Sequence, residues 1–217
     1  MPGAAADTAV LVFCKAPVPG ETKTRLIPRL GADNAARLHA ALIRHAVTTA
    51  TAASLGPVEL WCTPSCEHPL FDMLAQQFAL VRHLQSGADL GARMQHALQS
   101  ALAANRFALL IGSDCPEFTV DYLGAARQAL AAGNDAVIGP AADGGYVLIG
   151  LARNNAKIFE SINWGSDEVL AQTRERLRQL GWQWRELDTL HDIDRPEDLN
   201  GIRVSGEWLE VGGKNCT

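Results

Sequence analysis

Four stretches of the sequence concentrate side chains able to bind or move charge. The first runs from Lys15 to Arg29 and holds Lys15, Lys23, Arg25 and Arg29 against one acid, Glu21, with Pro17 and Gly20 bending the chain and Thr24 between two of the cations. Lysine supplies a point charge and arginine a fork for two phosphate oxygens, so a bent loop with Lys15, Lys23 and Arg25 can hold a di- or triphosphate. It reads equally as a solvated basic loop, and it is neither a Walker loop nor a G-x-G-x-x-G turn. The second stretch, Gly112-Ser113-Asp114-Cys115-Pro116, follows an apolar run directly. A carboxylate at the end of a buried strand is costly unless it caps, pairs or binds a cation. Asp114 or Ser113 therefore caps a turn, or Asp114 ligates Mg2+ or Mn2+ with nucleotide phosphates completing the shell. In the third stretch, Asp192, Asp194, Glu197 and Asp198 surround Pro196. Acids there are ordinary first-turn chemistry, and the functional alternative makes Asp194 a second ligand to the same cation. The fourth, Asp143-Gly144-Gly145-Tyr146, is a hairpin turn, or a tight turn that brings Asp143 and the backbone close to a sugar or acceptor.

These stretches need a scaffold, and the hydrophobic pattern supplies one. The apolar run at 8–14 reads as a strand buried on both faces and 107–112 as a second buried strand, and further strands are expected at 58–63 and near 79–84, 135–140, 146–151 and 182–187. Helical spacing predicts helices over 33–55 (with Asp33 as its cap), 68–78, 91–104, 119–132 and 167–180 (capped by Ser166), and Pro196 opens a short last helix. Strands alternating with helices argue for an α/β fold with a mainly parallel sheet. The turn between 135–140 and 146–151 is too short for a crossover, so those two strands run antiparallel and the sheet is mixed. In such sheets ligands sit beyond the carboxyl ends of the strands, where the first two stretches fall.

The chain has 217 residues, enough for one sizeable core, and is read as one domain with its core over 8–200 and a loose, glycine-rich tail over 206–217. The formal net charge of -5 argues against nucleic acid as a partner, which requires a basic face. No apolar run reaches the length needed to span a bilayer, the N-terminus lacks a basic and apolar leader pattern, and five irregularly spaced cysteines do not form a disulfide framework. A cytoplasmic protein is expected. Cys62, Cys66 and His68 could form part of a metal site but lack a second pair at finger-like spacing, so strand and loop cysteines are the simpler reading. Trp182 and Trp184 should pack one face of an outer strand. Trp164 precedes a helix and either packs or lines an acceptor pocket. His39, His45, His83 and His96 fall away from the four stretches and receive no catalytic role; His191, beside Asp192, is the histidine to test.

Taken together and in order, the Phe13-to-Leu26 loop, Gly112-to-Pro116, Gly139-to-Tyr146 and Asp192-to-Leu199 resemble the bacterial selenodomain-associated (arsenosugar-biosynthesis) transferase 1 family, over roughly residues 8–200. That family looks like a branch of the nucleotide-diphospho-sugar transferases with the glycosyltransferase-A fold. The resemblance implies a three-layer αβα sandwich around a mixed, mostly parallel sheet. It places Lys15, Lys23 and Arg25 on the nucleotide phosphates, with Pro17, Gly20, Thr24, Ser113 and Asp114 around the nucleotide, and Asp114 and Asp194 on a Mg2+ or Mn2+ ion. Two departures stand out: Pro17 to Glu21 replaces the Gly-x-Gly start of nucleotidyltransferases, and Pro116 stands where the second acid of a glycosyltransferase Asp-x-Asp would be. The expected activity is transfer from a nucleotide-activated donor to a small-molecule acceptor, favouring glycosyl transfer. Asp143 and Asp192 are the candidate bases, Lys23 stabilises the leaving group, and Asp143, Gly144, Gly145, Tyr146 and Trp164 face the acceptor. Nucleotidyl transfer from an NTP and a non-catalytic nucleotide-binding module are the alternatives.

Overall fold

The computed structural model describes residues 7–200 and, beyond them, the backbone of 202–205 and 208–211. The first strand, β1 (Thr8–Lys15), is buried from Thr8 to Cys14, and its side chains alternate between two cores. Val10, Val12 and Cys14 face one layer of helices; Ala9, Leu11 and Phe13 face the other. This two-sided burial is why the strand reads as an unbroken apolar run.

After β1 the chain does not stay irregular to Gly31, as its proline content suggests. Thr24–Leu26 forms a 3-10 turn and Ile27–Leu30 a short helix, α1, because Leu26 is drawn fully into a small core with Leu38, Leu42 and Ile193. The long helix α2 (Ala32–Ala52) then starts one residue before the expected Asp33 cap. Gly31, at φ 78, is its N-cap, and Asp33 lies in the first turn, where its charge complements the helix dipole.

The remaining elements are β2 (Val58–Thr63), α3 (Pro69–Phe78), β3 (Val81–Leu84), α4 (Leu90–Leu102), β4 (Phe107–Gly112), α5 (Val120–Ala131), β5 (Ala136–Pro140), β6 (Tyr146–Leu151), α6 (Val169–Gln179), β7 (Trp184–Glu186), a 3-10 turn at Pro196–Leu199, and β8 (Ile202–Ser205) with β9 (Trp208–Val211). Helix α6 starts two residues later than expected. Ser166 Oγ accepts from the Glu168 N–H at 3.3 Å just ahead of the helix, and within its first turn the Leu170 N–H is taken by the Gly144 carbonyl at 2.9 Å, so a distant turn also ties the start of this helix. The tail expected to be loose over 206–217 contains β9, which pairs antiparallel with β8; its other residues lie outside the described ones.

The main sheet has the order β3-β2-β1-β4-β6-β5-β7. All pairings are parallel except those of β6, which runs antiparallel to both β4 and β5. The mixed sheet expected from the short 141–145 turn is therefore observed. Helices α2, α3 and α5 cover one face, and α4 and α6 the other, giving an αβα sandwich. Trp182 and Trp184 pack into the α4/α6 layer beside edge strand β7. Strand order reverses where β1 lies between β2 and β4, so the carboxyl ends of β1 and β4 open a crevice at the switch point. Among the described residues no helix is long and apolar enough to cross a membrane.

Candidate functional site

At that crevice Asp114, two residues beyond β4, stands beside the loop that leaves β1. The Lys23 ammonium lies 2.9 Å from its Oδ1, and its side chain is only 4 % exposed. His39, on α2 and 4 % exposed, places Nδ1 3.3 Å from the same oxygen and Nε2 3.0 Å from the Lys15 carbonyl. Asp114 Oδ1 is fully buried while the side chain as a whole is 44 % exposed, so Oδ2 is the oxygen turned toward solvent. Burial opposes ionisation, but Lys23 and His39 outweigh it and hold the Asp114 carboxyl well below the usual carboxylate range.

The loop's cations do not all behave as its sequence suggests. Lys23 is turned inward, where it also donates to the Ile193 carbonyl, and it does not line the open cavity. Its backbone sits at φ 49 in the left-handed region, a cost of order 1 kcal/mol for a non-glycine residue that the buried anchor offsets. Arg25 is ion-paired with Asp194. Arg29 donates to the Pro196 carbonyl at 2.7 Å. Lys15 is exposed and reaches back to the Glu21 carbonyl at 2.6 Å. Three cations of one loop thus strap down the segment Ile193–Pro196, which also donates from Ile193 N–H to the Asp114 carbonyl at 2.9 Å and buries Ile193 against Leu26, Leu38 and Leu42.

Asp114 opens onto a cavity of about 890 Å³. Arg25, Asp143, Gly145, Tyr146, Trp164, Asp192 and Asp194 line it, whereas Lys15, Pro17, Gly20, Thr24, Ser113 and Gly144 do not. Ser113 is buried behind Asp114. Gly144, expected to let the backbone approach a ligand, is closed against protein: at φ 92, a Cβ there would stand 2.2 Å from the Asp167 carbonyl oxygen. Asp143 accepts from the Gly145 N–H at 2.9 Å, which fixes the turn. The pairing of Ala141 with Leu190 brings this turn alongside Asp192. Burial first, and then the charge of Asp143, push the Asp192 carboxyl up to about 6. Trp164 both packs and lines the cavity: its ring fills the space beside Gly91, where a Cβ would lie 2.7 Å away, and meets Tyr146 edge-on.

Other candidates are resolved more simply. His191 lines the cavity and lies 3.3 Å from Glu117. His68 caps α3 by accepting from the Leu70 N–H at 3.2 Å, and Cys62 is a buried strand residue, so the Cys62–Cys66–His68 run is structural. His39 is the site residue that sequence reasoning passes over. It sits on the buried stripe of α2, and nothing local distinguishes it from a core histidine.

Hard oxygen ligands suit Mg2+ or Mn2+, and the carboxylates of Asp114 and Asp194, which both line the cavity, are of that kind. Among the described residues no group of three or more His, Cys, Asp or Glu is placed to hold a metal ion. The donor set therefore fits a cation that a ligand's phosphates also coordinate, rather than an all-protein cage.

Residues 27–166 match the family model described as "Uncharacterized protein conserved in bacteria (DUF2064)". No curated protein matches the chain. Among solved structures, a Desulfovibrio desulfuricans protein provisionally named a nucleotide-diphospho-sugar transferase is 32 % identical, with a TM-score of 0.81 over 89 % of this chain and 85 % of that one. A nucleotidyl transferase from Methanothermobacter shares 14 % identity, with a TM-score of 0.60 over 89 % of this chain and 94 % of that one. Glucosyl-3-phosphoglycerate synthase from Mycobacterium tuberculosis, solved with Mn2+, UDP and glucosyl-3-phosphoglycerate, shares 10 %, with a TM-score of 0.57 over 93 % of this chain and 80 % of that one. The last two likenesses establish the fold alone.

Proposed function

The chain belongs to this bacterial family, DUF2064, and from that premise we propose that it transfers a glycosyl group from a nucleotide-diphosphate sugar to a hydroxyl acceptor seated in the cavity. Within the family, we group it with the selenodomain-associated transferases on its four motifs. The observation that carries the reading is Asp114: a carboxylate kept ionised by two buried partners, at the switch point of the sheet, with one oxygen free toward a large cavity. A carboxylate held ionised by specific charge partners while facing a cleft is the pattern that marks candidate functional sites.

In this reading Arg25, on the cavity wall, binds the donor's diphosphate, with Lys15 adding positive charge from outside the wall; Pro17, Gly20 and Thr24 set the course of the loop that carries Arg25, and Ser113 packs behind Asp114. Lys23 acts from beneath by holding Asp114 charged. Asp114 and Asp194 hold a Mg2+ or Mn2+ ion, which when bound supplies positive charge to the leaving diphosphate. Asp192 takes the acceptor's proton; a carboxyl at about 6 is largely ionised at neutral pH yet basic enough to accept one. Asp143 keeps it so by its own charge and orients the acceptor together with Gly145, Tyr146 and Trp164. Gly144 serves by packing the turn onto Asp167. Asp143, Asp167 and Asp192 all line the cavity, and their repulsion of an acceptor phosphate supports a neutral hydroxyl acceptor and hence glycosyl over nucleotidyl transfer.

The test is a panel of nucleotide-diphosphate sugars and NTPs with and without Mn2+, read by nucleoside diphosphate and pyrophosphate release. Slow diphosphate release with water as acceptor, abolished in Asp114→Asn, is expected. Pyrophosphate release would replace this reading with nucleotidyl transfer. Nucleotide-dependent thermal stabilisation without turnover would leave a binding module, and no stabilisation by any nucleotide would remove the assignment.

A further inference from the structure

His39 touches two parts of the site at once and belongs to neither. Its Nε2 is 3.0 Å from the Lys15 carbonyl, an acceptor, so Nε2 carries a proton and donates. Its Nδ1 is 3.3 Å from Asp114 Oδ1, an ion-pair contact that the ring makes when Nδ1 carries a proton as well. The ring therefore bridges the first residue of the basic loop, at the end of β1, to the carboxylate beyond β4, from a helix that crosses beneath both. Lys23 reaches the same oxygen from the loop side at 2.9 Å.

The consequence lies in the carboxylate's orientation. An aspartate side chain has two soft torsions, and a single contact at Oδ1 leaves the group free to swing about it. Two ion-pair contacts to the same oxygen from different elements favour the arrangement with Oδ1 buried and Oδ2 toward the cavity. An apolar side chain at position 39 would fill the same buried space, so packing alone does not call for an imidazole.

We infer that His39 is a positioning residue: it fixes Asp114 with Oδ2 presented to the cation and ties that orientation to the start of the diphosphate-binding loop. The inference rests on the proposed cation site. Groups behind a metal ligand typically change metal affinity 10- to 100-fold when removed, because they set the ligand's direction.

Three variants separate positioning from packing. His39→Leu keeps apolar volume and removes both contacts. His39→Asn sets an amide near the place of Nδ1 and keeps a partner for Asp114, while His39→Gln sets one near Nε2 and keeps a partner for the Lys15 carbonyl. Mn2+ is titrated by electron paramagnetic resonance, alone and with saturating UDP, GDP or CDP, alongside melting curves. His39→Leu should remain folded and bind Mn2+ about 10- to 100-fold more weakly. His39→Asn should recover most of the affinity, and His39→Gln should recover much less. Equal Mn2+ affinity in wild type and His39→Leu overturns the inference while leaving the cation site intact, as does equal loss in all three variants. Absence of Mn2+ binding by the wild-type protein with every nucleotide overturns the cation site itself, and the inference with it.

Discussion

Replacing Lys23 by methionine tests the centre of this site. The change keeps the length and apolar stem of the side chain and removes an ammonium that is 4 % exposed and 2.9 Å from Asp114 Oδ1. Two groups lose their partner, the buried carboxylate oxygen and the Ile193 carbonyl. Breaking a buried ion pair by removing one member typically costs about 3–5 kcal/mol. Asp114 keeps one solvent-facing oxygen and its His39 contact, so the lower side, about 2–3 kcal/mol, is expected here. In a chain of this size that lowers Tm by roughly 5–10 °C. The pH dependence gives the sign. In the wild type the Asp114 carboxyl is depressed, so its stabilisation is present above the ordinary carboxylate value of 3.8 and fades as pH falls through the folded value. In Lys23→Met burial is less opposed, the carboxyl shifts upward, and protonation relieves the misfit, so the gap between the two proteins narrows on acidification from pH 7.5 to 4.5. Adding Asp114→Asn should restore about 1–2 kcal/mol, because no buried charge is left behind. Urea unfolding followed by fluorescence of the five tryptophans measures all of this. The account is refuted if Lys23→Met lies within about 0.5 kcal/mol of wild type at pH 7.5, or if the two substitutions simply add.

The exposed pair should behave oppositely. Arg25→Met, losing an ion pair whose members are 63 % and 42 % exposed, should cost under about 1 kcal/mol of stability yet weaken nucleoside diphosphate binding at least several-fold by calorimetry. Asp192 carries a carboxyl raised from 3.8 to about 6, which destabilises the folded state above that range and has no effect below the ordinary value. In EDTA, Asp192→Asn should therefore gain stability at pH 8, by about 1–2 kcal/mol once solvent screening is allowed for, and match wild type near pH 3.5. If Asp192 is also the base, diphosphate release in the wild type rises with pH through about 6, and Asp192→Asn abolishes that limb. Gly144→Ala should lose about 2–4 kcal/mol by thermal or urea unfolding, since φ 92 disfavours a side chain and a Cβ would stand 2.2 Å from the Asp167 carbonyl oxygen. Near-neutral behaviour would show that the turn can move away from α6.

Much of the scaffold is legible because it is locally encoded. The strands Val58–Thr63, Phe107–Gly112 and Tyr146–Leu151 coincide with their apolar runs residue for residue. Phe107–Gly112 is apolar throughout, and the ends of Val58–Thr63, which carries Glu59 and Thr63, are set by Gly56-Pro57 before it and Pro64 after it. The reversed direction of β6 follows from the short turn before it, and the mixed sandwich follows from that. Helix starts are less legible: Gly31 rather than Asp33 caps α2, and the start of α6 depends on the Gly144 carbonyl. In both cases the partner of an orphan backbone group is chosen by the surroundings and not by propensity.

The sequence by itself determined which stretches carry charge and that they lie at the ends of strands. It also determined that an acid following a buried strand must cap, pair, bind a cation or give up its charge, because desolvation penalises a bare carboxylate. Tertiary structure alone decided how that charge is distributed. Lys23 and Ile193 are 170 residues apart, and their meeting turns a basic residue that reads as a phosphate ligand into the buried counter-charge of Asp114. His39 enters the site only because α2 passes beneath the switch point. A side chain's partner depends on which element the fold lays against it, and a residue's type and spacing do not contain that information.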